Sequence, residues 1–497
     1  VSESASQTLQ VNPQFHRSLI QVFQKSPSVW AQESGVQSSP HVVLRGQDLQ
    51  QSRYFLEGIP LTDSQFNADV VSLLPFQTVA RMDIFPDSIP VGLASDGLGG
   101  GVDFHLWEQI QPVVGVKTGS FGFGELFTKT SLGHPKRHIT FNLIRSDENF
   151  KYYDDGGTPL NSALGEIRER THNKFLRMGV TPLIPIVTSK TSDWKYFGLN
   201  SFRNLQIPGP VSLPMNGELT QMFHLSAISG ESWLAADLKS KSLVYAKIDS
   251  QKYRTDQKTK SLSSMSSNDS LNQTFGLRNY FQFYQFYPLR IEQALGVNYE
   301  RYDFKSLAEL SSATPSPELN QRWDLPVALA GYVPIKDWEI KPAIMAQFFW
   351  YQGKTENHYL MLSPRLGISL DRVFGVKQLR LESSLGKFYR APSMMELNGN
   401  PFGVSPSREL QPEKADKVSM GIGWEKSFLE GWISGVKMSY AYSLAVSKNL
   451  IAYIQNSQNS QIATNIGESL IQSHEAQVEL EMVKKLFSHT SISLLQT

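Results

Sequence analysis

The chain has 497 residues, of which 40% are hydrophobic and 11% aromatic, so it can bury a large core and is not expected to be disordered. Its 47 basic and 46 acidic residues give a formal net charge of +1, which offers no basic stripe for a nucleic-acid backbone and excludes nucleic acid as a partner. The absence of cysteine excludes disulfides, cysteine nucleophiles and thiolate metal sites, and it is compatible with an oxidising envelope compartment.

The apolar runs are short. Even one of the longest, Pro326 to Pro334, falls far below the roughly 20 residues that a membrane-spanning helix needs. The sequence starts at Val1 without a charged and apolar leader, so we expect any secretory signal to have been removed or to lie outside it. A soluble protein and a membrane β-barrel both remain compatible with these runs.

Residues 1–108 have the pattern of a small mixed α/β domain. Residues 13–25 predict an amphipathic helix, because Phe15, Leu19 and Phe23 fall near one face. Short β-type runs at 41–46, 54–58 and 79–85 follow, each closed by a turn residue, and two of these are Gly46 and Gly58.

A glycine-rich segment at 96–101 precedes one more short strand at 102–106. Its glycines predict a tight, close-packed backbone; they are Gly97, Gly99, Gly100 and Gly101. A phosphate-cradling loop is disfavoured, because no long helix pattern follows.

From about residue 109 the sequence changes to segments of about ten residues that alternate with period two, which is typical of a membrane barrel. In 338–350 one face is apolar and suits lipid, and the other is mixed and suits a wetter interior. The apolar face consists of Trp338, Ile340, Pro342, Ile344, Ala346, Phe348 and Trp350. Residues 436–446 and 476–483 separate into two faces in the same way.

A soluble antiparallel sandwich would also alternate, so the period leaves both architectures open. Two other features favour the membrane barrel. Aromatic clusters at 280–287 and 348–351 suit girdles at a membrane interface. Short turns such as 134–137 and 375–378 alternate with long polar stretches such as 147–173 and 252–272, as expected for short turns on one side of a membrane and long loops on the other.

The first 108 residues resemble the plug domain of TonB-dependent outer-membrane receptors through an ordered series of motifs. Residues 26–29 stand where the first plug helix ends, with Ser28 in place of a glycine, and 43–46 resemble the "isoleucine, arginine, glycine" strand. Residues 55–61 resemble the "leucine, aspartate, glycine, valine, proline" hairpin, with Glu57 in place of the aspartate. Residues 81–85 and 97–102 resemble the elements that close the plug.

Further motifs of the same family follow in order at 363–367, 388–397, 410–414 and 465–475. The resemblance spans most of the chain. Two departures are local: residues 407–409 replace the usual Asn-Pro before Leu410, and Ser473-His474 replace the usual glycine before Glu475.

The resemblance implies an all-β transmembrane antiparallel barrel of about 22 strands, with a plug of mixed α/β structure inside the lumen. We expect a plug at 1–108 and a barrel at 109–497. The strand-like run at 488–496 comes soon after the motif around Glu475, so we expect the last barrel strands to lie outside this sequence. In the family an energy-coupling box precedes the plug, and we expect this box to lie outside the sequence as well.

The resemblance also implies ionic pairs between plug arginines and barrel glutamates. On matching positions these are Arg45 and Arg81 with Glu396 and Glu413. Such pairs would hold the plug and yet be breakable, because a buried charge is costly unless it is paired. The alternative is that some of the four are solvated loop charges.

The sequence gives only weak support for a metal, haem or hydrolase site. Asp147, Glu148, Asp154 and Asp155 could bind calcium through carboxylate oxygens, although a plain acidic loop is the simpler interpretation. His134 and His138 lack further zinc ligands nearby. A haem receptor of this family would have a histidine within 389–409, where none occurs, and no hydrolase triad stands out.

The resemblance therefore implies a receptor of the bacterial outer membrane that imports a scarce nutrient and is not an enzyme. The nutrient could be a siderophore, cobalamin or a similar chelate, or an oligosaccharide. The expected partners are a TonB-type energy-coupling protein, outer-membrane lipid and lipopolysaccharide, and the small ligand; no cofactor is implied. The alternative is a barrel that does not transport and serves as a structural or adhesion component of an envelope assembly.

Overall fold

A computed structural model describes most of the chain. The described residues are 7–12, 18–32, 41–47, 49–61, 71, 73–95, 97–107, 112–133, 137–154, 166–207, 217–255, 267–306, 320–353, 356–371, 378–399, 404–428, 433–455, 461–482 and 486–496.

The N-terminal part is a small mixed domain, which we call the plug. Its elements are β1 (Gln7–Gln10), α1 (Leu19–Phe23), β2 (Val29–Gln32), β3 (His41–Leu44), β4 (Arg53–Leu56), β5 (Ile59–Pro60), β6 (Val79–Phe85) and β7 (Gly101–Leu106). Five strands form one sheet in the order β1-β6-β7-β4-β5, in which only β4 and β7 are parallel, while β2 and β3 form a separate hairpin. The strand predicted at 79–85 is found with those bounds. The predicted helix at 13–25 is described only over Leu19–Phe23, because 13–17 lie outside the described residues.

The rest of the described chain is dominated by long antiparallel strands. They are β8 (Val113–Thr118), β9 (Gly124–Leu132), β10 (Arg137–Ser146), β11 (Phe150–Asp154), β12 (Glu166–Arg170), β13 (Phe175–Thr188), β14 (Ser192–Ile207), β15 (Gly217–Ala235), β16 (Leu238–Thr255), β17 (Asn268–Phe283), β18 (Arg290–Ser306), β19 (Asn320–Ile335), β20 (Trp338–Gln352), β21 (Asn357–Asp371), β22 (Leu379–Arg390), β24 (Glu413–Ser427), β25 (Ile433–Lys448), β28 (Glu468–Met482) and β29 (Leu486–Gln496). All of these except β11 and β12 form one barrel, in which each strand pairs with the next one along the chain. The predicted domain boundary at residue 108 lies outside the described residues, between β7 and β8.

The two faces of the barrel strands carry different residues, as the alternation predicts. On β20 the outward side chains Trp338, Ile344 and Trp350 are exposed, whereas Met345, Gln347 and Phe349 on the other face are buried. Apolar side chains can face outward because the outer face of a membrane barrel contacts the hydrocarbon chains of the lipid. The sandwich alternative is therefore wrong. Among the described residues, no helix is both long and apolar enough to cross a membrane.

The two ends of the barrel differ. At one end, which we call the turn end, two-residue turns such as 236–237 and 336–337 join the strands. At the other end, the loop end, most connections are longer and three of those described carry secondary structure of their own. One of the three holds β11 and β12. The other two hold α2 (Met394–Asn398), β23 (Val404–Ser405), β26 (Ile451–Gln455) and β27 (Gln461–Asn465), and we call these four elements together the cap.

The plug lies in the barrel lumen. Its buried core, which includes Phe23, Leu56 and Phe104, belongs to one apolar cluster with the wall side chains Phe197 and Leu225. A second cluster joins Val91 and Ala94 of the plug to wall residues of β18, β19 and β20. Burial of this apolar surface drives the two parts together, at roughly 25 cal/mol for each Å² removed from water.

Candidate functional site

A polar cavity of about 90 Å³ lies between the plug and the barrel wall, towards the loop end. The plug contributes Arg53 from the start of β4, Pro60 from β5, and Ala94 and Ser95 after a short turn. The wall contributes side chains from β16 to β20, and the end of β22 adds Arg390. Every second residue of a barrel strand faces the lumen, and these side chains belong to that set.

Cations outnumber carboxylates in the lining of the cavity. The five cations are Arg53, Lys247, Arg278, Arg322 and Arg390, and the two carboxylates are Glu300 and Asp324. Arg322 is paired with Glu300, and Arg390 is paired with carboxylates behind the lining. Asp324 accepts hydrogen bonds from Asn298 at 3.0 Å and Gln347 at 2.8 Å. Within the described lining, cationic side chains therefore outnumber acidic ones by five to two.

Arg278 has unused hydrogen-bonding capacity at this cavity. Its side chain is only 4% exposed, and one terminal nitrogen donates to the carbonyl oxygen of Gly58 at 2.7 Å. The other terminal nitrogen is buried without a hydrogen-bond partner in the structure. A buried donor that lacks an acceptor costs free energy, so the cavity favours a solute that carries acceptor groups.

Three barrel cations hold the plug hairpin β4–β5. Besides Arg278, Lys195 lies 2.9 Å from the Glu57 carboxylate, and Lys247 donates to the carbonyl oxygen of Pro60 at 3.2 Å. Glu57 also accepts a hydrogen bond from the backbone of Leu106 at 2.7 Å. Burial acts to raise the pKa of Glu57. The nearby charges of Lys195 and His105 together with its hydrogen bonds outweigh burial, so the pKa of this carboxyl is held below its usual range. The hairpin was predicted from the sequence, but its three cations were not, because they come from three strands that are far from the hairpin along the chain.

Arg45 does join the plug to the barrel, but its partners differ from the prediction. Its guanidinium pairs with Glu475 of β28, at 2.5 Å between Nε and Oε1, and with Asp87 of the plug. Ser28 donates to the same Glu475 at 2.7 Å. Burial alone would lower the pKa of Arg45, and the two carboxylates outweigh burial and raise the pKa. Arg45 is therefore a buried cation with a full set of partners.

The predicted pairing of Arg45 and Arg81 with Glu396 and Glu413 is wrong. Arg81 is half exposed and lies 3.7 Å from Asp83 within its own strand. Glu396 and Glu413 both pair with Arg390, at 3.0 Å and 2.5 Å. Glu413 also accepts from the backbone of Ile451 at 2.6 Å, so the two glutamates fix the cap to β22 and β24. The sequence carried a signal for this, because Ser393 and Glu396 have the spacing of a helix capping box, and both of its hydrogen bonds are present.

A titratable cluster surrounds His105 on β7. Its Nε2 lies 2.9 Å from Asp83 and 3.6 Å from Asp103, and its Nδ1 lies 4.0 Å from Glu57. Burial lowers the pKa of His105, but Asp103 and the other carboxylates outweigh burial and raise it. Burial raises the pKa of Asp103. For Asp83, burial acts in the same direction, but the hydrogen bonds from His105 and Thr8 and the nearby charges of His105 and Arg81 together outweigh it and lower the pKa. The charged form of His105 is thus the one that the plug stabilises.

The plug glycines lie at tight positions. Gly46 and Gly58 have positive φ in the turns after β3 and β4. Gly97, Gly99 and Gly101 pack closely against residues 47–55, so an added side chain would meet Arg53, Ser52 or the Arg53 carbonyl oxygen. Gly100 combines both constraints, because its φ is +78° and a Cβ there would overlap the carbonyl oxygen of Phe85.

The described part of the acidic loop is not gathered into a metal site. Asp147 lies 3.5 Å from Arg145, and the backbone of Asp147 and Glu148 donates to Phe121. Asp154 ends β11, and Asp155 lies outside the described residues. Within the described ranges, no group of three or more His, Asp or Glu side chains could hold a metal ion. His138 lies in β10 and hydrogen-bonds Ser131 at 2.8 Å, while His134 is outside the described residues.

Two family models match the chain. The model described as "TonB-dependent Receptor Plug Domain" matches residues 4–101. The model described as "TonB dependent receptor-like, beta-barrel" matches residues 140–488, which is more than half of the chain. The chain therefore belongs to the TonB-dependent receptor family. None of the curated proteins matches it in sequence.

Solved structures with low sequence identity share the fold. The copper transporter OprC has a TM-score of 0.73 at 13% identity, over 100% of this chain and 79% of that chain. The hemophore receptor HasR of Serratia marcescens, a double mutant in complex with its hemophore HasA and heme, has a TM-score of 0.72 at 12% identity, over 99% of this chain and 81% of that chain. The FrpB iron transporter from Neisseria meningitidis has a TM-score of 0.72 at 13% identity, over 99% and 80%. At these identities the likeness concerns the fold alone.

Proposed function

We propose that this chain imports an anionic metal chelate across the bacterial outer membrane, with energy supplied by a TonB-type partner at the turn end. The loop end then faces outward, and the cavity above the plug receives the ligand. Lipid and lipopolysaccharide surround the apolar outer face. No catalytic role is proposed.

The observation that carries this proposal is the cavity whose floor is the plug itself. A ligand that sits on Arg53, Ala94 and Ser95 touches the domain that must move for transport. Binding can shift the plug only through contacts that differ between its two states, and contacts with the plug itself meet this requirement.

The charge of the lining favours an anionic ligand. The surplus of cations and the unpartnered nitrogen of Arg278 both call for acceptor oxygens, which catecholate and carboxylate chelates supply. Solved structures of similar fold include a ferric enterobactin receptor and a copper transporter.

The test is uptake of radioactive iron by cells that express the full-length chain. The probes are an anionic ferric tris-catecholate and a neutral ferric trihydroxamate. We expect uptake of the anionic chelate only, and we expect a protonophore to abolish it. Arg278→Gln should weaken binding about tenfold, since a hydrogen bond to a charged group contributes about 1.5–3 kcal/mol. Arg254→Gln, which changes a cation near the loop end of β16 outside the cavity lining, is the matched control.

The outcomes separate the candidate functions. Equal uptake of both chelates, or no effect of Arg278→Gln, would contradict the ligand class. A chain that inserts in the outer membrane and takes up neither chelate would favour the alternative of a barrel with a structural or adhesion role.

A further inference from the structure

The plug contacts the barrel wall in two chemically different ways. From β13 to β20 the plug packs against apolar wall side chains, in addition to the three cations that hold the hairpin β4–β5, and we call the lumen-facing side of these strands the sealed arc. Both apolar clusters that contain plug residues lie there, with Phe197, Leu225 and Tyr245 in one and Ala330 and Met345 in the other. Among the described residues, none from β22, β24, β25 or β28 belongs to either cluster. We call the lumen-facing side of these four strands the polar arc.

On the polar arc, the plug is held by hydrogen bonds and one ion pair. Gln7 donates to Gln477 at 3.0 Å, and Ser28 and Arg45 both contact Glu475. All of these contacts fall on β28. They are the kind of contact that water can replace at a modest net cost, because an intramolecular hydrogen bond contributes only about 0.5–1.5 kcal/mol.

Next to these contacts the lumen is open. A cleft of about 670 Å³ lies at the turn end of the polar arc, and its lining includes Arg380, Glu425, Lys437 and Glu479. Arg380 is 49% exposed and Lys437 is 58% exposed although both face the lumen. The wall here also lacks bulk, because a Cβ at Gly423 would meet nothing within 4 Å.

We propose that solute leaves the lumen along the polar arc while the plug stays seated on the sealed arc. The inference rests on the transport function proposed above and specifies its route. Water and a polar solute can enter between Gln7 and Gln477 because the groups they separate become hydrated. Opening the sealed arc would instead expose buried apolar side chains, at roughly 25 cal/mol for each Å².

In this arrangement the pair Arg45–Glu475 is the latch between plug and wall. A buried ion pair is costly to break when one partner is left unpaired in a dry site. Opening the cleft as far as Glu475 admits water to both partners and limits that cost. The mixed charges of Arg380, Glu425, Lys437 and Glu479 line the route with groups that suit a hydrated, polar solute and no single sign of charge.

The experiment uses the absence of cysteine in the chain, which makes each introduced pair unique. On the sealed arc, Pro75→Cys with Gly179→Cys forms a disulfide, because Cβ of Pro75 lies 3.9 Å from the Cβ position of Gly179 and disulfides need about 3.5–4.5 Å. On the polar arc, Gln7→Cys with Gln477→Cys is bridged by a short bis-methanethiosulfonate reagent. Uptake of the ferric tris-catecholate is then measured before and after reduction.

We expect the disulfide on the sealed arc to leave uptake within twofold of the reduced protein. The bridge on the polar arc should lower uptake at least tenfold, and reduction should restore it. A blocked sealed-arc variant that recovers on reduction, or an unaffected polar-arc variant, overturns the proposed route.

A second readout does not depend on uptake. In the purified full-length protein, Ser439→Cys on the polar arc should react with a small charged maleimide at least tenfold faster than Ala227→Cys on the sealed arc. Equal rates overturn the route even if the chain transports neither chelate. Conversely, normal rates with no uptake would count against the transport function and leave the hydrated arc established.

Discussion

The sealed arc and the polar arc belong to one barrel and face one plug, yet among the described residues only the sealed arc adds apolar packing to its polar contacts with the plug. The sealed arc presents Phe197, Leu225 and other apolar side chains that merge with the plug core. The polar arc presents Glu475 and Gln477 and beyond them an open cleft. Apolar contact gives permanence because separation exposes hydrocarbon to water, whereas polar contact gives reversibility because water can take the place of either partner. One domain can thus be both anchored and displaceable.

The largest effect should come from a charge placed in the sealed arc. Leu225→Asp puts a carboxylate where the side chain is fully buried among apolar groups, at an expected loss of at least about 3 kcal/mol in plug seating. Outer membranes that contain this variant should become permeable to large antibiotics, which is measured as growth inhibition by vancomycin. Ser439→Asp, on the polar arc, is the matched control and should leave the membrane tight. Equal permeability of the two variants would erase the distinction between the arcs.

The next effect concerns the latch. Glu475→Gln keeps the shape of the side chain and removes the charge that pairs with Arg45, so the opening free energy of the plug should fall by about 3 kcal/mol. Amide hydrogen exchange of β2 and β3 measures this opening. Glu479→Gln, two positions away in the cleft, should change the exchange rates by less than twofold. Protection that is unchanged in Glu475→Gln would show that the latch lies elsewhere.

The same substitution, glycine to alanine, can be compared on the two arcs. A Cβ at Gly276, which lies beside the sealed arc's Tyr245, would overlap the tyrosine ring, whereas a Cβ at Gly423 would enter open space. We expect Gly276→Ala to destabilise the folded protein by about 1–3 kcal/mol and Gly423→Ala to change stability by less than about 0.5 kcal/mol. Denaturant unfolding in detergent measures both. A larger loss in Gly423→Ala than in Gly276→Ala would contradict the packing described here.

The smallest effect is a pH dependence centred on His105. Its pKa in the folded plug is raised above the ordinary value of 6.5, so its contribution is complete below pH 6.5 and is lost as pH rises through the folded value. The slope cannot exceed about 1.4 kcal/mol per pH unit, because one proton is exchanged. Thermal unfolding of the wild type should show this loss on the alkaline side, and His105→Gln should remove it. A variant that keeps the slope would assign it to another group.

The sequence predicted those parts of the fold that follow from local patterns. The alternation in 338–350 identified which face of β20 meets lipid, because a period of two needs no knowledge of neighbours. The short β-type runs at 41–46 and 79–85 located two plug strands, because each run and the turn residue that closes it are local features. Partner choice among charges was not predictable in this way. Glu413 lies opposite Arg390 because of the register of β22 with β24, which no local pattern in the sequence reveals.

The cavity and the two arcs could not be predicted from the sequence for a related reason. Arg53, Lys247 and Arg278 come from three separate strands, and nothing in their spacing indicates that they meet. The capping box at Ser393 and Glu396 was the exception, because its four-residue signature is local. It would have placed Glu396 beside its own helix and away from the plug.

The cap has a consequence for how recognition can diverge. Glu413 accepts from Ile451, and Arg390 binds Glu413 and Glu396 together, so the connection at 391–412 and the connection at 449–467 share one buried charge cluster. Both also contribute to one apolar cluster through Leu397 and Ile451. Recombination that exchanged only one connection would strand a buried charge and half of that cluster. We therefore expect the two connections to be exchangeable only together.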